Sequence, residues 1–140
     1  MSGRELTIAL IVGIGGIIGA LGRYLVLLAI PTRGGRFPWG TFIINVSGSI
    51  LLGFILVLIL EQFQRGNLAR PLLGTGILGG YTTFSTFTVD SALLVHGGRP
   101  MVALVYIAAT LICGLFAMML GMLAGRLLLK IEAYLQEERQ

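Results

Sequence analysis

The sequence is poor in the residues that most enzymes and secreted domains rely on. It has one histidine, one cysteine and six acidic residues among 140. A lone Cys113 can form no internal disulfide, and its apolar surroundings suit a buried, inert thiol. No histidine, cysteine or carboxylate cluster has metal-ligand spacing, and no nucleophile stands beside a base, so enzyme chemistry is not expected. Charged residues make up 11% of the chain, against roughly 25% in soluble domains. The net charge of +4 comes from scattered arginines with no basic run, which excludes a nucleic-acid surface.

What the chain has in excess is apolar residues, 56% of the total. A 140-residue chain cannot bury so many side chains within itself, so lipid must solvate much of its surface. A bilayer core needs about 20 apolar residues in a helix. Four segments meet that length: 6–30, 39–60, 72–95 and 101–129. Each begins or ends at one of the four prolines, Pro31, Pro38, Pro71 and Pro100. The first run is too long for the apolar core of a signal peptide and is expected to remain as a spanning helix. The connections are short and polar, and Lys130 to Gln140 reads as a charged amphipathic end of the last helix. The expectation is an all-α integral membrane protein forming a single domain over 1–140.

Four spans put both termini and the second loop on one side of the membrane. That side carries Arg4, Arg65, Arg70, Arg126, Lys130 and Arg139, and the other carries Arg33, Arg36 and Arg99. The difference favours cytoplasmic termini only weakly, which permits insertion in both orientations.

Glycines mark the packing faces. Gly15 and Gly19 form a small-xxx-small pair, and Gly114, Gly121 and Gly125 lie near one face of the last span. In the second span Thr41, Asn45, Ser49 and Gly53 recur every four residues and share a face. Asn45 lies at membrane depth, where an amide needs partners, either across helices or along an ion path. Tyr106 and Thr110 share a face with Gly114 as a second polar track. Arg23, towards the end of the first span, either reaches the interface, anchors an anion vestibule or locks nearby carbonyls.

The third span carries the chemistry. Gly74, Gly76, Gly79 and Gly80 precede Tyr81-Thr82-Thr83-Phe84-Ser85-Thr86-Phe87-Thr88. Paired glycines followed by hydroxyl and β-branched residues disfavour continuous helix, so a break is expected within 79–85. A break at membrane depth is tolerated only inside protein or beside a wet cavity, and it exposes carbonyls on one side and amides on the other. Phe84 and Phe87 share a face at i, i+3. Either they pack a core, or their electropositive ring edges coordinate a small anion, with Thr83, Ser85 and Thr86 adding hydroxyl donors.

Gly79 to Phe87 resembles the signature of the CrcB/Fluc fluoride channels. Gly15-Gly16 with Gly19 to Tyr24 resembles that family's first-helix motif, and Gly40-Thr41 with Asn45 and Gly48 its second. The resemblance implies an antiparallel, dual-topology homodimer in lipid, with fluoride pores along the subunit interface and passive fluoride export from the cell's inner (plasma) membrane. It implies Asn45 as the pore amide, Phe84 and Phe87 as the coordinating rings, and Ser85 and Thr86 along the path. Thr41, Tyr106 and Thr110 complete the expected polar lining. It also implies a structural sodium ion (Na+) on the dimer axis, held by third-span carbonyls at Gly79 and Thr82. Two positions depart from the family's usual residues: Tyr81 stands where phenylalanine is commoner, and Asp90 where glutamate is. The competing reading is a small multidrug-resistance-like proton antiporter, which needs a membrane-embedded carboxylate; Glu5 and Asp90 are the candidates. A non-conducting packing subunit of a larger complex is the third.

Overall fold

The computed structural model describes residues 2–32, 34–61 and 68–137. Arg33, Arg65 and Arg139, which enter the charge comparison above, lie outside these residues. Helix α1 spans Gly3–Ala29. Ser2 caps it: its Oγ accepts from the Glu5 N–H, and the Glu5 carboxylate accepts from the Ser2 N–H at 2.8 Å. Helix α2, Trp39–Glu61, starts after Pro38. The third apolar region, read from sequence as a span over 72–95 with a break within 79–85, is divided. Its first half is a π-helix, Arg70–Leu78, continued by the α-helical turn α3, Gly79–Tyr81. Its second half is α4, Phe84–His96. The last helix, α5, runs Pro100–Glu137, well past the apolar segment that ends at 129.

Thr82 and Thr83 separate the two halves, with extended backbone (φ/ψ −72/158 and −147/123). The break therefore falls within the expected window, but Gly79 and Gly80 are themselves helical. Their role is close approach. A Cβ on Gly80 would lie 2.5 Å from the Gly16 carbonyl oxygen and 3.0 Å from the Gly16 Cα. The glycines thus serve packing, and the hydroxyl residues beyond them carry the interruption. The π-helical turns are wider than α-helical ones, as in the bond from the Gly79 N–H to the Gly74 carbonyl.

Small residues set the pairing of elements. Gly15 and Gly19 of α1 are buried against the π-helix and α3, running parallel to them. Gly114, Gly121 and Gly125 of α5 meet Ser49, Ile50, Phe54 and Val57 of α2, again in parallel. Helix α4 packs on α5. The exterior is covered by exposed leucine, isoleucine and valine side chains, while Thr41, Thr83, Ser91 and Thr110 are buried. This inversion suits lipid, where packing replaces the hydrophobic effect between helices. Among the described residues, three helices are long and apolar enough to cross a membrane: Gly3–Ala29, Trp39–Ile59 and Pro100–Gln136.

A Cβ on Gly19 would collide with the Ile77 carbonyl and the Tyr81 amide, both backbone atoms that cannot swing aside. Gly19→Ala is expected to destabilise the protein by about 1–3 kcal/mol, as overpacking does. Gly13 has no atom within 4 Å of its Cβ position, so Gly13→Ala is the control. Thermal unfolding in detergent should show a lower transition for the first and none for the second.

Candidate functional site

The site begins at the break. Thr83 has left helical geometry, so its N–H and C=O need new partners. Asn45 of α2 supplies both: the Thr83 N–H donates to Oδ1 at 2.9 Å, and Nδ2 donates to the Thr83 carbonyl at 3.0 Å. Because the Thr83 N–H can only donate, the amide orientation is fixed, and the second Nδ2 hydrogen has no partner among the described residues. Thr83 in turn caps α4, its Oγ1 accepting from the Thr86 N–H and donating to Thr86 Oγ1, both at 3.1 Å. Ser85 Oγ lies 3.2 Å from the same hydroxyl. On the other side of the break, Arg23 Nη1 donates to the Thr82 carbonyl at 3.3 Å, the carbonyl lock among the roles considered for it. Tyr81 Oη lies 3.0 Å from Ser47 Oγ of α2.

Beside the break is a cavity of about 460 Å³, lined by Asn45, Ser49, Thr82, Thr83 and Thr110, by both phenylalanines, and by apolar side chains. No charged side chain among the described residues lines it. Phe87 is 9% exposed and Phe84 is 78% exposed, with ring centroids 5.8 Å apart and planes inclined by 39°. The expected residues thus do not all take the same place. The hydroxyls of Ser85 and Thr86 are engaged with Thr83, and neither residue lines the cavity. Ser49 donates to the Asn45 carbonyl at 2.8 Å and Thr110 to the Tyr106 carbonyl at 2.7 Å, so each offers the cavity lone pairs unless it rotates. Unengaged donors at the break are the second Asn45 N–H and the Phe84 and Ser85 amides that open α4, which have no helical acceptors, while the Thr86 amide is held by Thr83 Oγ1.

Thr41 and Tyr106 lie beyond this cavity. Thr41 Oγ1 donates to Asp90 Oδ2 at 2.7 Å. The Tyr106 hydroxyl is buried beside Thr41 and Asp90, and among the described residues no hydrogen bond of good geometry reaches it. The Tyr106 ring stacks obliquely on Phe87, centroids 5.3 Å apart, linking the cavity to this group. On the far side of Asp90 a smaller cavity, about 200 Å³, reaches Thr32 and Arg36 in the loop before α2. Sequence reasoning considered Asp90, the sole acid in that span, only as a proton carrier in the antiporter reading. It missed Ser47, which lies off the stripe of Thr41, Asn45 and Ser49.

Gly79 and Thr82 both border the larger cavity. The Gly79 carbonyl has lost its helical partner, because the Thr83 N–H donates to Asn45 instead. The Thr82 carbonyl accepts from Arg23 and keeps a second lone pair. Such oxygens suit a hard cation.

Residues 10–122 match the family described as CrcB-like protein, Camphor Resistance (CrcB). The chain is 41% identical over 119 residues to Fluoride-specific ion channel FluC 2 of Nocardia farcinica, covering 85% of each. It is 43% identical over 114 residues to Fluoride-specific ion channel FluC of Rhizobium meliloti, covering 81% of this chain and 91% of that one. Its match to Fluoride-specific ion channel FluC 2 of Streptomyces avermitilis is 48% identical over 101 residues, 72% of this chain and 64% of that longer protein.

Proposed function

The chain belongs to the CrcB family, and from that membership we propose that it is a fluoride-specific channel, a multi-pass protein of the bacterial inner membrane through which fluoride leaves the cytoplasm passively. The observation that carries the reading is a cavity without charged groups, at a helix break, that still presents unengaged donors. Fluoride is small and strongly hydrated, so a route for it must replace water with several donors at once. The second Asn45 N–H, the Phe84 and Ser85 amides and the edges of Phe84 and Phe87 can do so at the break, and the buried Tyr106 hydroxyl can do so further along. The α4 dipole adds positive potential at its N-terminus. None of these groups is a fixed charge, so the ion is not trapped, and exit stays fast.

Four spans, with the broken region as the third, and an antiparallel pair of copies complete the reading. Phe84 stands open on one side of the cavity, which supports a second copy closing it. Arginines occur at both ends of the spans, which supports insertion either way. Two carbonyls per chain, at Gly79 and Thr82, are too few to enclose a cation, so a structural sodium ion would draw on both copies. When bound it would supply positive charge tying the two sets of carbonyls together.

The antiporter reading loses its first carboxylate. Glu5 accepts from the Ser2 N–H in the cap at the exposed start of α1. The test is efflux from liposomes holding the purified protein and loaded with potassium fluoride, with valinomycin to carry the counter-ion. A fluoride electrode should record rapid release, and chloride-loaded vesicles should retain their contents. Equal release of both anions, or a cationic drug moved by a proton gradient in place of fluoride, would overturn the proposal.

A further inference from the structure

Tyr81 is the last helical residue before the break, and its surroundings are built around it. Its ring lies between two glycines of different helices: a Cβ on Gly22 of α1 would be 3.6 Å from Cδ2, and one on Gly48 of α2 would be 3.4 Å from Cδ1. Both are ordinary contact distances, so the ring packs against α1 and α2 at these glycines, and the tight approach at Gly48 is that of the Thr82 side chain. The hydroxyl reaches Ser47 Oγ at 3.0 Å. The direction of that bond follows from the other contacts of Ser47. Its own proton points to the Ile43 carbonyl at 2.6 Å, or to the Ile44 carbonyl at 3.3 Å, so its lone pairs are what remain for Tyr81. Tyr81 is therefore the donor.

Helix α2 thus holds the broken segment at two points. Asn45 holds the main chain of Thr83, and Ser47 holds the side chain of Tyr81, so a step of two residues along α2 matches a step of two along the break in the opposite direction. A single grip on Thr83 leaves the segment free to pivot about that residue. A second grip removes the pivot. What lies between and beyond the two grips is the functional part: the Thr82 carbonyl facing Arg23, the Thr83 cap on α4, and the first turn of α4 bearing Phe84 and Phe87.

We propose that Tyr81, through its bond to Ser47, is a positioning residue that sets the angle of the break and hence the spacing of the donors that separate fluoride from larger halides. This rests on the channel reading. The Tyr81 hydroxyl does not touch the permeating ion; it acts through the main chain of residues 82–84.

The test is a double-mutant cycle with Tyr81→Phe and Ser47→Ala, read as the ratio of fluoride to chloride efflux. Tyr81→Phe keeps the ring between Gly22 and Gly48 and removes only the donor. One lost hydrogen bond predicts a fall of about fivefold in that ratio, with fluoride efflux persisting. Ser47→Ala should give the same fall, the double variant no more than either single one, and Ser47→Thr, which keeps the hydroxyl, the wild-type ratio. Unchanged ratios in both single variants, or falls that simply multiply in the double, would overturn the proposal. If the unaltered protein releases no fluoride, the channel reading fails by itself. The bond between Tyr81 and Ser47 is then judged by melting temperature in the same cycle, where additive losses would reject it.

Discussion

Alanine in place of Asn45 is expected to lower fluoride efflux by about a hundredfold or more, since it removes two hydrogen bonds to the main chain of Thr83 and the free N–H beside them. Few side chains in the molecule have so much depending on them. At membrane depth an unpaired main-chain N–H or C=O costs several kcal/mol. Without Asn45 the segment regains its bonds only by closing into continuous helix, which removes the α4 amides from the cavity, or by collapsing. Asn45→Asp is the sharper variant. It is nearly isosteric and can still accept from the Thr83 N–H, but its second oxygen opposes the Thr83 carbonyl and it brings negative charge to an anion route. It should be as inactive as alanine. If Asn45→Ala retains efflux within about threefold of wild type, less than one hydrogen bond is at stake and the amide does not hold the break open. A melting temperature lowered in step with efflux would place the loss in the fold; efflux lost from protein that still melts normally would place it in the path.

The position of the break was legible because helix propensity is a local property: Gly-Gly followed by a hydroxyl run disfavours helix whatever surrounds it. The reason for the glycines was not legible. Gly80 is required by Gly16, more than sixty residues earlier in the chain, and no local pattern records such a contact. The four-residue stripe on α2 shows the same division. Periodicity correctly put Thr41, Asn45 and Ser49 on one face, yet each meets something different. Thr41 meets Asp90, Asn45 meets Thr83, and Ser49 bonds back to its own helix. Periodicity gives a direction, and the neighbour in that direction is set by the fold. Ser47 left no signal at all, because a single serine in an apolar helix usually bonds back to its own carbonyls, as this one also does. The course of α5 was legible: hydropathy ends the apolar span at 129, and the charged stretch from Lys130 was read as the amphipathic end of the same helix, which continues to Glu137. The π-helix from Arg70 to Leu78 has no counterpart in propensity scales, which rank residues for α-helix alone.

Isoleucine at Phe84 and at Phe87 should each reduce fluoride efflux by about tenfold, and together by about a hundredfold, if each ring edge contributes about 1.4 kcal/mol to holding the ion. The two positions should differ in stability. Phe87 is buried and packed against Tyr106, so its replacement also costs about 1–2 kcal/mol of folding stability and lowers the melting temperature. Phe84 is 78% exposed in the single chain, and its replacement should leave that temperature nearly unchanged. This difference makes Phe84→Ile the more informative variant, because a loss of efflux there cannot be assigned to a damaged core. The choice of isoleucine matters as well. A hydrophobic seal that merely excludes water functions with any apolar side chain of similar volume, whereas a ring edge offers a partial positive charge that an aliphatic group lacks. Should both isoleucine variants release fluoride at the wild-type rate, the rings are only an apolar wall. The Asn45 N–H and the α4 amides would then have to hold the ion unaided.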